Sequence, residues 1–159
     1  MQLYQVFIFL HVLGAIAAFG PGFAAMVVGP MVAKEPQHGN FYARTQLLTS
    51  KRLVTPVALS MAVTGILILL TIPGGYGGVV GSRLWLPVAV VLYIVAVVFA
   101  FAWQAPAGQK LVDLTSTPPA PGTPPNPEIP ATAGRLRIGG MVLTLLVVVI
   151  LFLMVTKPF

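Results

Sequence analysis

His11 is the only readily ionisable side chain inside the four long apolar stretches that make up most of this chain. A neutral imidazole nitrogen is the commonest nitrogen ligand for metals and also binds haem iron. A polar ring costs free energy in hydrocarbon unless it is paired, ligated or turned toward a cavity. Its residue type and its surroundings therefore make His11 the first candidate for chemistry.

A haem b or metal site at His11 needs a second ligand, because one histidine supplies only one. Lys157, a methionine or His11 of a second copy of the chain would be in reach, whereas His38 belongs to the opposite side of the membrane. We therefore take His11 and Lys157 as the candidate cofactor-binding residues, with haem b as the cofactor. The structural alternative is a hydrogen bond from His11 to a backbone carbonyl or to a threonine of the next helix.

Methionines suggest a weaker alternative, a copper or small-solute permease. Thioether sulfur suits Cu(I), but methionine is also a common filler of apolar packing. The chain has no cysteine to support a copper site. The four methionines in the half that we predict to be cytoplasmic are Met26, Met31, Met61 and Met141.

Other chemistry is disfavoured by what the apolar stretches lack. No Asp, Glu, Lys or Arg occupies the middle of any of them, which argues against a proton relay or an ion-coupled carrier. The chain has no paired carboxylates, no nucleophile–base pair and no HExxH motif, and GGYGGVVG does not lie between a strand and a helix. The sequence therefore predicts no catalysis by protein groups alone and leaves catalysis through a bound cofactor open. The leading hypothesis is a non-enzymatic four-helix membrane module, and b-type haem or metal binding through His11 is the alternative.

The elements that must position His11 are membrane helices. Hydrophobic residues make up 57% of the chain and charged residues only 8%, against about 25% charged residues in a soluble domain. Four stretches reach the ~20 apolar residues that a spanning helix needs: about residues 3–28, 53–72, 84–103 and 138–156. They predict an all-α, four-helix transmembrane bundle in one domain, residues 1–159. The leader MQLYQ has no basic residue, so we expect the first helix to be retained and not cleaved as a signal peptide.

Basic residues predict the orientation of the bundle, with both termini outside (N-out, C-out). Seven Lys or Arg residues lie between the first and second stretches or between the third and fourth, against two on the other side, and basic loops stay in the cytoplasm. The basic residues that give the chain its net charge of +6 flank the spans and form no stripe with interleaved aromatic residues. We therefore expect the lipid bilayer, and no nucleic acid, as the partner.

The loops differ in character. Residues 33–52 are compatible with the continuation of a helix or with a segment lying along the interface, and the sequence leaves both open. Residues 115–134 hold seven of the fifteen prolines and predict an extended cytoplasmic linker.

Small residues share one face of the first helix with His11. They recur at helical spacing in the order His11, Gly14, Ala18, Gly22, Ala25 and Gly29. Such a face allows close approach of another helix in lipid, so we expect His11 to point into the bundle, about 12 Å below the outer boundary. The same face would also suit packing of the chain as a homo-oligomer.

Three segments resemble a family of bacterial four-helix integral membrane proteins described only as a domain of unknown function: LHVLGAIAAFGPGF, RLVTPVALSMAVTGILILL and LMVTKPF. The resemblance implies a multi-pass protein of the bacterial inner membrane. The HxxGA pattern at His11 is also similar to copper-resistance D-type proteins and to haem-binding protoporphyrinogen oxidase-like membrane proteins. In the latter, a first-helix histidine is implicated in haem ligation. Only His11 carries over from those two groups.

Overall fold

Four long apolar helices make up the protein, and the predicted all-α four-helix membrane bundle is confirmed. The computed structural model describes residues 2–73, 84–117 and 126–158, and within these ranges it has no strand. Helices are the expected solution, because a backbone surrounded by lipid has to satisfy its own hydrogen bonds.

The first two spans are longer than their apolar stretches. Helix α1 covers Leu3–Lys34, and a short 3₁₀ turn, Pro36–His38, leads into α2, Gly39–Thr49. A π-helical turn, Ser50–Val54, then joins α2 to α3, Thr55–Thr71. The residues between the first two spans therefore continue the second helix, one of the two alternatives that the sequence left open.

The third and fourth spans extend in the same way. Helix α4 covers Trp85–Phe99 and continues through a π-helical turn, Ala100–Gln104, into α5, Ala105–Thr115. Helix α6 covers Glu128–Thr156, so it begins ten residues before the predicted start of the last span at residue 138.

This early start differs from the predicted linker over residues 115–134, since residues 128–134 are helical. Pro130 is tolerated there because the N–H groups of a helix's first turn have no helical acceptor in any case. Thr115 ends α5, as the predicted start of the linker requires, and residues 118–125 of the linker lie outside the described residues.

Proline explains where the two π-helical turns occur. Pro56 and Pro106 lack the N–H groups that would bond the carbonyls of Arg52 and Ala102 in an α-helix. Just before each proline the helix widens, so that the N–H of Thr55 bonds the carbonyl of Ser50 and the N–H of Ala105 bonds that of Ala100. A wide turn keeps the backbone paired where the α pattern is interrupted.

The helices pack in two pairs, α1 along α3 and α4 along α6. The buried centre of the second pair lies at the Trp85 end, where Trp85, Leu86 and Ala89 of α4 meet Ile150 and Leu153 of α6. Most apolar side chains along the spans face outward, with Leu70 69% and Val155 78% exposed. This is the distribution expected of helices whose outer surface meets lipid, because acyl chains solvate apolar side chains.

Candidate functional site

The His11 ring lies between the first two spans. Its Nδ1 atom is 2.9 Å from Oγ1 of Thr64 on α3, and the ring is partly buried. His11 therefore points into the bundle, and the structure shows the hydrogen bond to a threonine of the next helix that was the structural alternative.

The hydroxyl of Thr64 has acceptors in its own helix. Oγ1 of Thr64 lies 3.2 Å from the carbonyl oxygens of both Ser60 and Met61, so its single proton can be directed to either of them. With the proton directed there, Oγ1 accepts from Nδ1–H of His11. In that tautomer Nε2 of His11 carries a lone pair, the form of the ring that ligates metals.

Glycines on both helices bring α1 and α3 together at this level. A Cβ atom on Gly65 would lie 3.5 Å from Cε1 of His11, and one on Gly14 would lie 3.0 Å from Cγ of Met61. Larger side chains at these positions would separate the helices and lengthen the His11–Thr64 contact. The small residues therefore allow the hydrogen bond between His11 and Thr64.

The rest of the small face is also largely covered within the chain. Ala18 is 4% exposed, and the hydroxyl of Tyr42 donates to the carbonyl of Ala25 over 3.5 Å. A Cβ atom on Gly29 would lie 3.6 Å from the same hydroxyl, whereas one on Gly22 would meet nothing within 4 Å. The second span thus occupies most of the surface that the sequence offered for a homo-oligomer.

Lys157 lies at the other helix pair. It ends α6 in a left-handed conformation, with φ 47°, and its Nζ atom is 5.8 Å from the centroid of the Trp85 ring. Among the described residues no hydrogen bond or ion pair joins Lys157 to His11. The structure therefore gives the two candidate ligands different partners.

Methionines do not form a common buried site. Met61 is 8% exposed and packs against Gly14, whereas Met26, Met31 and Met141 are 45%, 61% and 49% exposed. Within the residues that the structure covers, no group of three or more His, Cys, Asp or Glu side chains could hold a metal ion. Nothing in this geometry favours the copper permease alternative.

A second cation–aromatic pair mirrors the one at Lys157. The guanidinium of Arg135 lies 4.6 Å from the centroid of the Trp103 ring. Eighteen residues separate Trp85 from Trp103, and twenty-two separate Arg135 from Lys157, which at 1.5 Å per residue is about 27 Å and about 33 Å. The two pairs therefore bracket the ~30 Å thickness of a bilayer's hydrocarbon core.

Beyond Trp103 the helices continue as a polar extension, formed by α2, α5 and the first turns of α6. Asn40 donates to Oγ1 of Thr115 over 3.0 Å, and Lys51 donates to Oε1 of Gln109 over 3.1 Å. Nζ of Lys110 lies 2.8 Å from the carboxylate of Glu128. Sequence analysis missed these contacts, and the amphipathic pattern of α5, with apolar and polar residues on different helix faces, was the available signal.

Gln104 lies in close contact with α6. A Cβ atom on Gly139 would lie 2.6 Å from Oε1 of Gln104, and Nε2 of Gln104 donates to the carbonyl of Leu136 over 3.3 Å. Oε1 itself is buried and has no hydrogen-bond partner among the described residues. Only glycine at position 139 fits this approach without displacing the amide.

An apolar groove of about 330 Å³ lies where α1 meets α2. Its lining includes Met31, Phe41 and Tyr42, and its rim carries Glu35 and His38, whose side chains are 3.5 Å apart. Both rim side chains are well exposed. His38 follows the C-terminal end of α1, whereas His11 lies near its N-terminal end. The two histidines are therefore far apart, as the sequence predicted.

One comparison with known proteins gives a match. The model of a family described as "Predicted integral membrane protein (DUF2269)" matches residues 5–158. No curated protein and no solved structure was found to match the chain. The family match gives no support to the resemblance with copper-resistance D-type or haem-binding protoporphyrinogen oxidase-like proteins.

Proposed function

Since this chain belongs to the DUF2269 family of predicted integral membrane proteins, we propose for it the role of a non-enzymatic, multi-pass membrane module. The observation that carries the proposal is the contact of 2.9 Å between His11 and Thr64. Through this contact His11 links two helices by a hydrogen bond, a known role of polar side chains in membrane bundles.

The polar extension lies at one face of the membrane. Contacts among α2, α5 and the first turns of α6 fix this extension, including the Lys110–Glu128 ion pair. We place the extension in the cytoplasm and both termini outside, because seven of the nine basic residues lie on the side of the extension. The membrane in this proposal is the bacterial inner membrane.

The proposal is tested on the detergent-purified full chain, with and without added haem. A colourless protein that contains no metal and develops no Soret band with haem is the expected result. A Soret band that is lost in His11→Gln would show that His11 binds haem and would contradict the proposal. A band that persists in His11→Gln would place a haem site elsewhere in the chain and would contradict a module without a cofactor. Thermal unfolding of the natural chain and of His11→Gln measures what the hydrogen bond contributes to stability, independently of haem binding.

A second candidate function is b-type haem binding through Nε2 of His11. The observation that favours it is the hydrogen bond at Nδ1, because a hydrogen bond at that nitrogen commonly orients a ligating histidine. Lys157 contacts Trp85, so the second ligand in this candidate would be His11 of another copy. A Soret band that is lost in His11→Ala and kept in Lys157→Ala would establish this candidate and exclude the first.

A further inference from the structure

Four cations form a belt at the Trp103 boundary of the membrane. The belt consists of Lys51, Arg52, Arg135 and Arg137, and all four side chains are exposed. Arg52 and Arg137 directly precede Leu53 and Ile138, the first apolar residues of their spans, and Arg135 lies over Trp103. The belt therefore lies where the polar headgroups of a bilayer begin.

The acidic residues of the chain do not neutralise this belt. There are only three of them, and the structure describes all three. Glu128 pairs with Lys110 at 2.8 Å, Glu35 with His38 at 3.5 Å, and Asp113 accepts from Gln109 over 3.1 Å. Lys51 has a neutral partner, Oε1 of Gln109, so all four positive charges of the belt lack an acidic counterpart.

The apolar surface next to the belt specifies what kind of anion would fit. Leu53 is 41% exposed and Ile138 is 64% exposed, each one residue from an arginine of the belt. Phe101, close to Trp103 in the third span, is 52% exposed. A ligand that is negatively charged at one end and apolar along its length would satisfy both surfaces together, whereas a soluble anion would satisfy only the first.

We propose that the belt binds the headgroups of anionic phospholipids, with the acyl chains lying along the adjacent apolar surface. Guanidinium groups donate two hydrogen bonds to a phosphate in a fixed geometry, and basic residues next to spans attract anionic lipids. The sequence has two cations at the Trp85 boundary, Arg83 and Lys157, against four in the belt, and Lys157 is already placed over an aromatic ring. The preference should therefore be stronger in the leaflet that meets the belt. This inference does not depend on the role of His11.

The two tryptophans allow each boundary to be measured separately. In Trp85→Phe the remaining fluorescence comes from Trp103, and in Trp103→Phe it comes from Trp85. Each variant is reconstituted into phosphatidylcholine vesicles that contain equal fractions of brominated phosphatidylglycerol or brominated phosphatidylcholine. The measured quantity is the ratio of quenching by the two brominated lipids, which cancels the different burial of the two rings.

We expect brominated phosphatidylglycerol to quench Trp103 more strongly than brominated phosphatidylcholine does, and we expect this ratio to be clearly smaller at Trp85. A surface cation near an anionic leaflet is worth about a five-fold change in binding. Changing all four belt residues to glutamine in the Trp85→Phe background should therefore bring the ratio close to one. Circular dichroism and size-exclusion chromatography of the same variant show whether it is folded.

Lys157→Gln, in the same background, is the matched control. It removes a cation from the other boundary and should leave the Trp103 ratio unchanged. Equal ratios at the two boundaries, or a Trp103 ratio that survives in the folded belt variant, would overturn the proposal. Loss of the ratio in Lys157→Gln would also overturn it, because the preference would then follow net charge and not the belt.

Discussion

Nδ1 of His11 and Oγ1 of Thr64 lie 2.9 Å apart, although 53 residues separate them in the chain. The contact ties α1 to α3 at a level where glycines on both helices allow close approach. Because acyl chains cannot hydrogen-bond, neither group has an equivalent partner among the lipids. The pair is therefore both the most polar feature within the spans and a link that holds two of them together.

Removing the hydroxyl of Thr64 should weaken this link. In Thr64→Val we expect a loss of about 0.6 kcal/mol of stability and at most about 1.7 kcal/mol, the mean and the maximum measured for hydrogen bonds between membrane helices. A double-mutant cycle with His11→Leu, read by thermal unfolding in detergent, should show that the two losses are not additive.

The control for this cycle is Thr71→Val on the same helix. Among the described residues, the Thr71 hydroxyl bonds the carbonyl of Leu67 in its own helix, over 2.7 Å. Additive losses for His11→Leu and Thr64→Val, or equal losses in Thr64→Val and Thr71→Val, would show that the inter-helix contact contributes nothing.

A methyl group at position 139 should disturb the packing of α6 against the third span. In Gly139→Ala the new Cβ would lie 2.6 Å from Oε1 of Gln104 and 3.2 Å from Cδ1 of Trp103. We expect a destabilisation of about 1–3 kcal/mol, typical of overpacking. Thermal unfolding of the purified protein measures it.

Gly140 provides the neighbouring control, because a Cβ there would meet Gln104 at an ordinary 3.8 Å. Gly140→Ala should therefore be tolerated, and Gln104→Ala should recover much of the stability lost in Gly139→Ala. If the two glycine variants unfold at the same temperature, the close approach is not limiting.

The orientation can be tested with single cysteines, since the natural chain has none. Gln2 and Ser116 are exposed and lie at opposite ends of the bundle. A membrane-impermeant maleimide added to intact cells should label Gln2→Cys, and should label Ser116→Cys only after permeabilisation. The reverse pattern would place the helical extension outside the cell.

The Lys110–Glu128 pair should make the extension sensitive to acid. The hydrogen bond and the charge of Lys110 hold the pKa of the Glu128 carboxyl below its ordinary value. A lowered pKa in the folded state contributes stability above the unfolded pKa, and this stability is lost as pH falls through the folded pKa.

The measurement for this pair is the melting temperature of the natural chain and of Glu128→Gln across pH. The two should differ most near neutral pH and converge as the carboxyl becomes protonated. Because both side chains are largely exposed, high salt should reduce the difference. A difference that grows on acidification would contradict the assigned sign.

Much of the architecture follows from sequence because a bilayer admits few solutions. A run of about twenty apolar residues can cross it only as a helix when no strand pattern is present. The four spans and the inward direction of His11 follow from this and from helical spacing, and a threonine of the next helix was one of several partners that the sequence left open. The threonine itself could not be chosen, because several occur in the later spans and only packing decides between them.

What only the tertiary structure decided are the contacts between distant residues. The apolar stretches end at Arg52, Trp103 and Arg137, but the helices continue beyond them. The polar side chains of this extension are paired with residues far away in the chain, so their contacts exist only in the folded protein. Lys157 was placed at the correct end of α6 by sequence, but its neighbour there is Trp85 and not His11. Hydrophobicity along a chain determines which segments enter the membrane. The pairing of helices depends on side-chain shape at their interfaces, and no local pattern encodes that.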